Sequence, residues 1–168
     1  MARGTVMTEL KINAQILTLC DHANVREGLL SLLSAGITVL NRASFPAPIG
    51  ARLAILLGVE GDFPAEGVHL RMSIADRESD ERVVPDFEMM FGAHDTPGAD
   101  AELPGSLPLM LDLEEVAIPK AGAYEIALHV ADTLLGTLHF VALQTVGGET
   151  YDASEPFTPR PADVAVAT

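Results

Sequence analysis

Apolar residues in this chain form short runs separated by clusters of Gly, Pro and Asp, an arrangement typical of all-β proteins. The stretch 68–75 alternates most clearly, because apolar residues stand at every second position with His69, Arg71 and Ser73 between them. This pattern predicts a strand with one face in a core and the other in solvent. The continuous apolar run 53–57 instead predicts a strand that is buried on both faces.

Taken together, the runs predict a single antiparallel, immunoglobulin-like β-sandwich of about eight strands. The predicted strands cover approximately 11–20, 27–40, 51–59, 68–75, 83–91, 107–113, 124–130 and 134–143. The sandwich domain would occupy 11–143, between an N-terminal leader at 1–10 and an irregular C-terminal tail at 144–168. The longest loop would be 92–108, which is rich in Gly, Pro, Asp and Ala.

Residues 25–40 admit two interpretations, because their leucines fit helical spacing as well as strand spacing. A strand is favoured, since Gly28 and Gly36 would each cost about 1 kcal/mol inside a helix. The β-branched residues Ile37, Thr38 and Val39 also suit a strand. We expect this strand to bend or divide near Ser34-Ala35-Gly36.

The best-defined element is a closing hairpin that runs from Pro119 to Leu143. A three-residue loop at 131–133 would bring apolar or small residues opposite one another on the inner face. The resulting register pairs Val130 with Leu134, Leu128 with Gly136, Ile126 with Leu138, Tyr124 with Phe140 and, on the outer face, Glu125 with His139.

Three segments together resemble an uncharacterised family of small bacterial proteins of actinobacterial type. They are the first strand ending in Leu19-Cys20-Asp21-His22-Ala23, the stretch 25–36 with its leucines and Gly36, and the entry Pro119-Lys120-Ala121-Gly122-Ala123-Tyr124 into the last hairpin with Phe140. The resemblance spans roughly Lys11 to Leu143. It implies a single β-sandwich domain without an assigned activity, and it transfers no site residue.

The single cysteine, Cys20, cannot form an internal disulfide, which favours a reducing compartment. The start of the chain makes a poor signal peptide, and no uncharged apolar run approaches the roughly 20 residues that span a bilayer. We therefore expect a soluble, cytoplasmic protein. An apolar share above the ordinary one suggests that another subunit covers part of the surface.

The net charge of -14 comes entirely from the residues after 60, where five Lys or Arg face twenty Asp or Glu. Such a surface repels phosphate backbones, so binding to nucleic acid or to an anionic membrane is disfavoured. A basic partner or a cation would suit it better.

Candidate chemistry is sparse along the chain. Cys20, Asp21 and His22 are adjacent, but neighbours on a strand point to opposite faces, so they do not form a ready-made catalytic group. The histidines fit no zinc motif; they are His22, His69, His94, His129 and His139. The loop 92–108 offers a calcium hypothesis through His94, Asp95, Asp100 and Glu102. We assign no catalytic residue, cofactor or metal site.

These observations favour a non-enzymatic module that binds a protein partner, or another copy of itself, through an apolar sheet face or edge. One alternative is a structural or decoration domain of a virion or shell. A second alternative is a hydrolase that uses the loop carboxylates or the Asp21-His22 pair.

Overall fold

Two β-sheets pack face to face in the computed structural model, which describes residues 9–92 and 105–145. The strands are β1 (Lys11–Arg26), β2 (Leu29–Ala35), β3 (Val39–Arg42), β4 (Ala47–Pro48), β5 (Arg52–Glu60), β6 (Val68–Asp76), β7 (Phe87–Phe91), β8 (Gly105–Asp112), β9 (Ala117–Ile118), β10 (Gly122–Val130) and β11 (Thr133–Gln144). No helix occurs in these residues, so the described part of the chain holds none that could cross a membrane.

The first sheet has the strand order β2-β1-β5-β8 and the second has the order β3-β11-β10-β6-β7. All neighbouring strands are antiparallel except β3 and β11, which are parallel. The chain passes repeatedly between the sheets, so that strands distant in sequence lie side by side. This is the immunoglobulin-like arrangement that the strand pattern predicts, and the fold class is confirmed.

A tyrosine corner marks the entry into β10. The Tyr124 hydroxyl donates a hydrogen bond of 2.7 Å to the Lys120 carbonyl oxygen, which is a recurrent device of immunoglobulin-like sandwiches. The Tyr124 ring stacks on Phe140, with ring centroids 5.4 Å apart. The predicted pairing of these two residues is therefore confirmed, and it lies in the centre of the core.

The core between the sheets is aliphatic and is filled from alternate strand positions. In β5, Leu53, Ile55 and Leu57 point into it, whereas Ala54 belongs to a second, smaller apolar cluster. Since Ala54 is also fully buried, the prediction that β5 is covered on both faces is confirmed. The second cluster shows that another apolar segment of the chain, which includes Leu30 and Leu32, packs against the outer face of the first sheet.

Several predicted boundaries differ from the structure. The segment predicted as one strand from 27 to 40 is divided into β2 and β3, as expected near Gly36, and the helical interpretation is wrong. The first strand continues to Arg26 rather than ending at Cys20. The fifth predicted strand begins only at Phe87, because Pro85 cannot donate to the ladder. Dividing the second strand and adding the short pair β4-β9 raises the strand count to eleven.

The predicted register of the closing hairpin holds from Tyr124 to Leu128 but is wrong at its tip. The turn there contains two residues rather than three, so Val130 faces Thr133 and His129 faces Leu134. The ladder shifts register just after Leu128, where a β-bulge leaves an extra residue on β11. Ala131, with a φ of 48°, allows the tight turn.

Candidate binding surface

The long hairpin formed by β1 and β2 is the element that sequence reasoning overlooked. Its turn consists of Glu27 and Gly28, with φ values of 53° and 75°. Two successive residues with positive φ define the tight turn that suits the natural twist of a β-hairpin. Pairing then extends from Arg26 opposite Leu29 to Cys20 opposite Ala35. Glu27, predicted as the start of a strand, therefore lies in a turn.

One face of this hairpin covers the outside of the first sheet. Leu30 and Leu32 pack with Cys20, Ala23 and Ala54 in the second apolar cluster. Because side chains alternate along a strand, the odd-numbered residues of β2 then point the other way. The hairpin thus has an attached inner face and a free outer face.

The free face of β2 exposes leucine. Leu29 and Leu33 are 69% and 64% exposed, the highest values among the large apolar side chains of the described residues. Ser31 lies between them and is also exposed. We call the outer face and unpaired margin of β2 (Leu29–Ala35) the β2 edge.

The β2 edge is also the least protected sheet margin in the described part of the chain. The opposite margin of the same sheet, β8, contains Pro108, which lacks an N–H group. In the other sheet, β7 has five residues including Glu88, and β3 has only four residues including Arg42. β2 has seven residues without charge or proline. Edge strands lacking these features are prone to pair with another chain.

Cys20 lies beneath the hairpin and is fully buried. Its Sγ donates to the Arg52 carbonyl oxygen at 3.5 Å, and burial, followed by the charge of Asp21, raises the pKa of the thiol. The exposed His22 ring instead contacts the Arg52 guanidinium. Cys20 therefore contacts the backbone of Arg52, whereas His22 contacts its side chain. The raised pKa keeps the thiol protonated rather than activated.

Arg52 connects the base of the hairpin to the acidic end of β8. Its Nη2 lies 3.0 Å from a carboxylate oxygen of Glu114, and its Nε lies 3.9 Å from Asp112. Because His22 contacts the same guanidinium, Arg52 fixes the direction in which the hairpin extends from the sandwich. The contacts are polar and mostly exposed, so they orient the hairpin more than they stabilise it.

Three of the described histidines, His69, His129 and His139, lie on the outer face of the second sheet, whereas His22 lies at the base of the β1-β2 hairpin. His139 contacts Glu125 at 2.7 Å, as the predicted register requires, and His69 lies 3.5 Å from Glu88. Among residues 9–92 and 105–145, no group of three or more His, Cys, Asp or Glu side chains could hold a metal ion. The calcium hypothesis rests on His94 and its neighbours, which lie outside the described residues, as does the predicted tail from residue 146 onward. Gln144, predicted as the start of that tail, instead ends β11.

An ion pair between buried Asp76 and exposed Lys120 joins the end of β6 to the turn before β10. Asp76 accepts a hydrogen bond from Lys120 Nζ at 2.8 Å and another from the Glu78 amide at 2.8 Å. The Lys120 contact is the largest influence that lowers the pKa of Asp76. An open depression of about 440 Å³ lies beside this pair. Because Asp76 and Lys120 neutralise each other, the pair adds no net charge to the depression, which Glu81 and Arg82 also line.

A second exposed apolar strip lies on the other sheet. It is formed by Val39 on β3 and by Val141 and Leu143 on β11, where the two strands pair. Arg42, on the same strand as Val39, instead donates hydrogen bonds to the carbonyl oxygens of Pro48 and Ile49. This strip is a second candidate contact surface, so a binding experiment has to distinguish contacts made there from contacts made at the β2 edge.

Fold and surface together define a small immunoglobulin-like sandwich that carries an extra hairpin with an exposed apolar edge. A family model matches residues 15–142. The chain belongs to this family, DUF6941, a family of unknown function. The membership agrees with the resemblance noted in the sequence, which also implied no assigned activity.

Two solved structures show distant similarity to this chain. An immunoglobulin-like protein from Pseudomonas aeruginosa is 11% identical, with a TM-score of 0.41, covering 82% of this chain and 99% of that one. A DNA-bound alkylpurine DNA glycosylase from Pseudomonas fluorescens is 14% identical, with a TM-score of 0.37. The match covers 80% of this chain but only 30% of the glycosylase. A comparison with curated proteins finds no match.

Proposed function

We propose that this protein is a non-enzymatic protein-binding or assembly module whose contact surface is the β2 edge. The observation that carries the proposal is the exposure of Leu29 and Leu33 on an uncharged sheet margin. Leaving two leucines in water on a strand that can still accept a neighbour is unfavourable unless a partner covers them.

Strand addition explains how such an edge would bind. A partner strand laid along β2 would satisfy the backbone N–H and C=O groups that point away from β1. Leu29 and Leu33 would then supply apolar contact on the outer face, while Leu30 and Leu32 keep the strand fixed from below. Backbone pairing gives affinity, and the side chains give selectivity.

The charge distribution supports a protein partner at this position. The chain carries a net charge of -14, yet β2 carries none. A partner approaching here meets the least repulsion, whereas nucleic acids and anionic membranes would be repelled by the rest of the surface.

Site-specific photocrosslinking in the native host tests the proposal. A benzophenone amino acid replaces Leu29 in one variant and, as a matched control, Met90 in another; Met90 is 57% exposed on β7. We expect protein adducts from position 29 and few from position 90. Equal adduct yields at the two positions, or none at position 29, would refute a binding role for the β2 edge.

A further inference from the structure

We propose that the partner on the β2 edge is a second copy of this chain, paired antiparallel across a two-fold axis that passes through Ser31. This inference rests on the proposed function and names its partner.

The sequence of β2 is symmetrical about Ser31. Residues 29–33 read Leu-Leu-Ser-Leu-Leu, the same in both directions. When two identical strands pair antiparallel across a two-fold axis, each residue faces the one equally far on the other side of that axis. With the axis at Ser31, Leu29 faces Leu33 of the second copy and Ser31 faces its own counterpart. Each leucine of the run therefore meets a leucine, and the serine meets a serine.

Neighbouring registers lose this match. An axis at residue 32 would place Leu33 opposite Ser31, and an axis at residue 30 would place Leu29 opposite Ser31. An axis between two residues would bring outer-face side chains against inner-face ones, because side chains alternate along a strand. The symmetrical run therefore selects a single register.

Charges are compatible with the same register. The ends of the hairpin carry Arg26 and Glu27, whose side chains already pair with each other at 3.4 Å. Across the proposed axis, Glu27 would face Ala35 and Arg26 would face Gly36 of the second copy, so no like charges meet. In a chain of net charge -14, few surfaces can approach a copy without repulsion.

Disulfide trapping of single-cysteine positions locates the axis. We expect Ser31→Cys to form a covalent dimer readily under mild oxidation, because residue 31 faces itself. Leu29→Cys and Leu33→Cys should form far less, since their counterparts would be about 13 Å apart along the strands, beyond the reach of a disulfide. Native Cys20 is fully buried and should not compete. Equal trapping at the three positions, or faster trapping at 29 or 33, would overturn the register.

Charge exchange tests the same pairing without a covalent bond. By sedimentation velocity, the wild type should have twice the 17.8 kDa mass of the chain. The variant Leu29→Lys/Leu33→Lys places four like charges along the interface and should become monomeric. Leu29→Lys/Leu33→Glu places each lysine opposite a glutamate and should remain dimeric. A monomeric wild type, or identical behaviour of the two variants, would overturn the proposal.

Controls separate this interface from other surfaces and from the proposed function. Met90→Lys and Val141→Lys each add one lysine elsewhere and should leave the dimer intact. Dissociation by Val141→Lys would place the interface on the strip formed by β3 and β11. If position 29 crosslinks only to a different protein and the purified chain is monomeric, the binding role survives and self-pairing fails. If position 29 yields no adduct at all, both fail.

Discussion

Replacing Tyr124 by Phe tests whether the tyrosine corner stabilises the sandwich. The change removes one hydroxyl that donates a 2.7 Å hydrogen bond to the Lys120 carbonyl, and it leaves the ring stacked on Phe140. Burial raises the pKa of Tyr124, so the hydroxyl remains a donor throughout the neutral range. A net intramolecular hydrogen bond contributes about 0.5–1.5 kcal/mol.

The position of Lys120, whose carbonyl oxygen accepts the hydrogen bond, narrows the expected loss of stability. Lys120 is exposed, so its carbonyl can bind water once the hydroxyl is gone, and we expect a loss of about 1 kcal/mol. For a chain of this size the loss corresponds to about 2–4 °C in melting temperature. Equilibrium urea unfolding should show a lower midpoint with an unchanged m value.

A ring-deleting variant provides the control. Tyr124→Leu should lose at least about 1 kcal/mol more than Tyr124→Phe, because it also removes the stacking on Phe140. If Tyr124→Phe is as stable as the wild type, the hydrogen bond contributes nothing and the corner is only a geometric marker. If the two variants are equally unstable, the ring has no separate role and the reasoning is wrong.

Two further predictions concern buried titratable groups. The contact between Asp76 and Lys120 lowers the pKa of Asp76 from 3.8 and raises the pKa of Lys120 from 10.5. The ion pair therefore stabilises the folded state fully between these two pH values. This stabilisation is lost as the pH falls below 3.8 through the folded pKa of Asp76, and as it rises above 10.5 through the folded pKa of Lys120. Urea midpoints measured against pH should show a weaker acid decline in Asp76→Asn, and an unchanged decline would contradict this. Cys20 should react slowly with a thiol reagent in the native protein, and Leu32→Ala should speed the reaction at least about tenfold by uncovering the thiol. Leu33→Ala is the matched control and should leave the rate unchanged. Equal reaction rates in the two variants would disprove that the hairpin covers the thiol.

Strand positions and the closing hairpin could be predicted because alternation of apolar residues directly reports a half-buried strand. The pairing of Tyr124 with Phe140 followed from this pattern. The tip of the hairpin could not be predicted, since Ala131 adopts a positive φ that alanine rarely takes. The predicted start of β2 is too early for the same reason, because Glu27 also adopts a positive φ. Gly28 beside it is nevertheless a turn signal in the sequence.

The candidate surface could not be predicted from the pattern of β2. Leucines stand on both faces of this strand, so the sequence does not say which face is covered. Only the fold shows that Leu30 and Leu32 lie against Ala54, which leaves Leu29 and Leu33 in solvent. The symmetry of residues 29–33 is visible in the sequence, but it acquires meaning only once β2 is known to end a sheet.

The β1-β2 hairpin lies between the part of β1 that pairs with β5 and strand β3 of the second sheet. Leu19 accepts hydrogen bonds from the amides of Gly36 and Ile37, so the chain leaves the sandwich and returns to it at nearly the same point. The outward side chains between these residues can therefore change without moving the strands of the core, whereas Leu30 and Leu32 are held by their packing against Ala54. The outer face of the hairpin is therefore free to vary in sequence, while the packing of the two sheets stays the same.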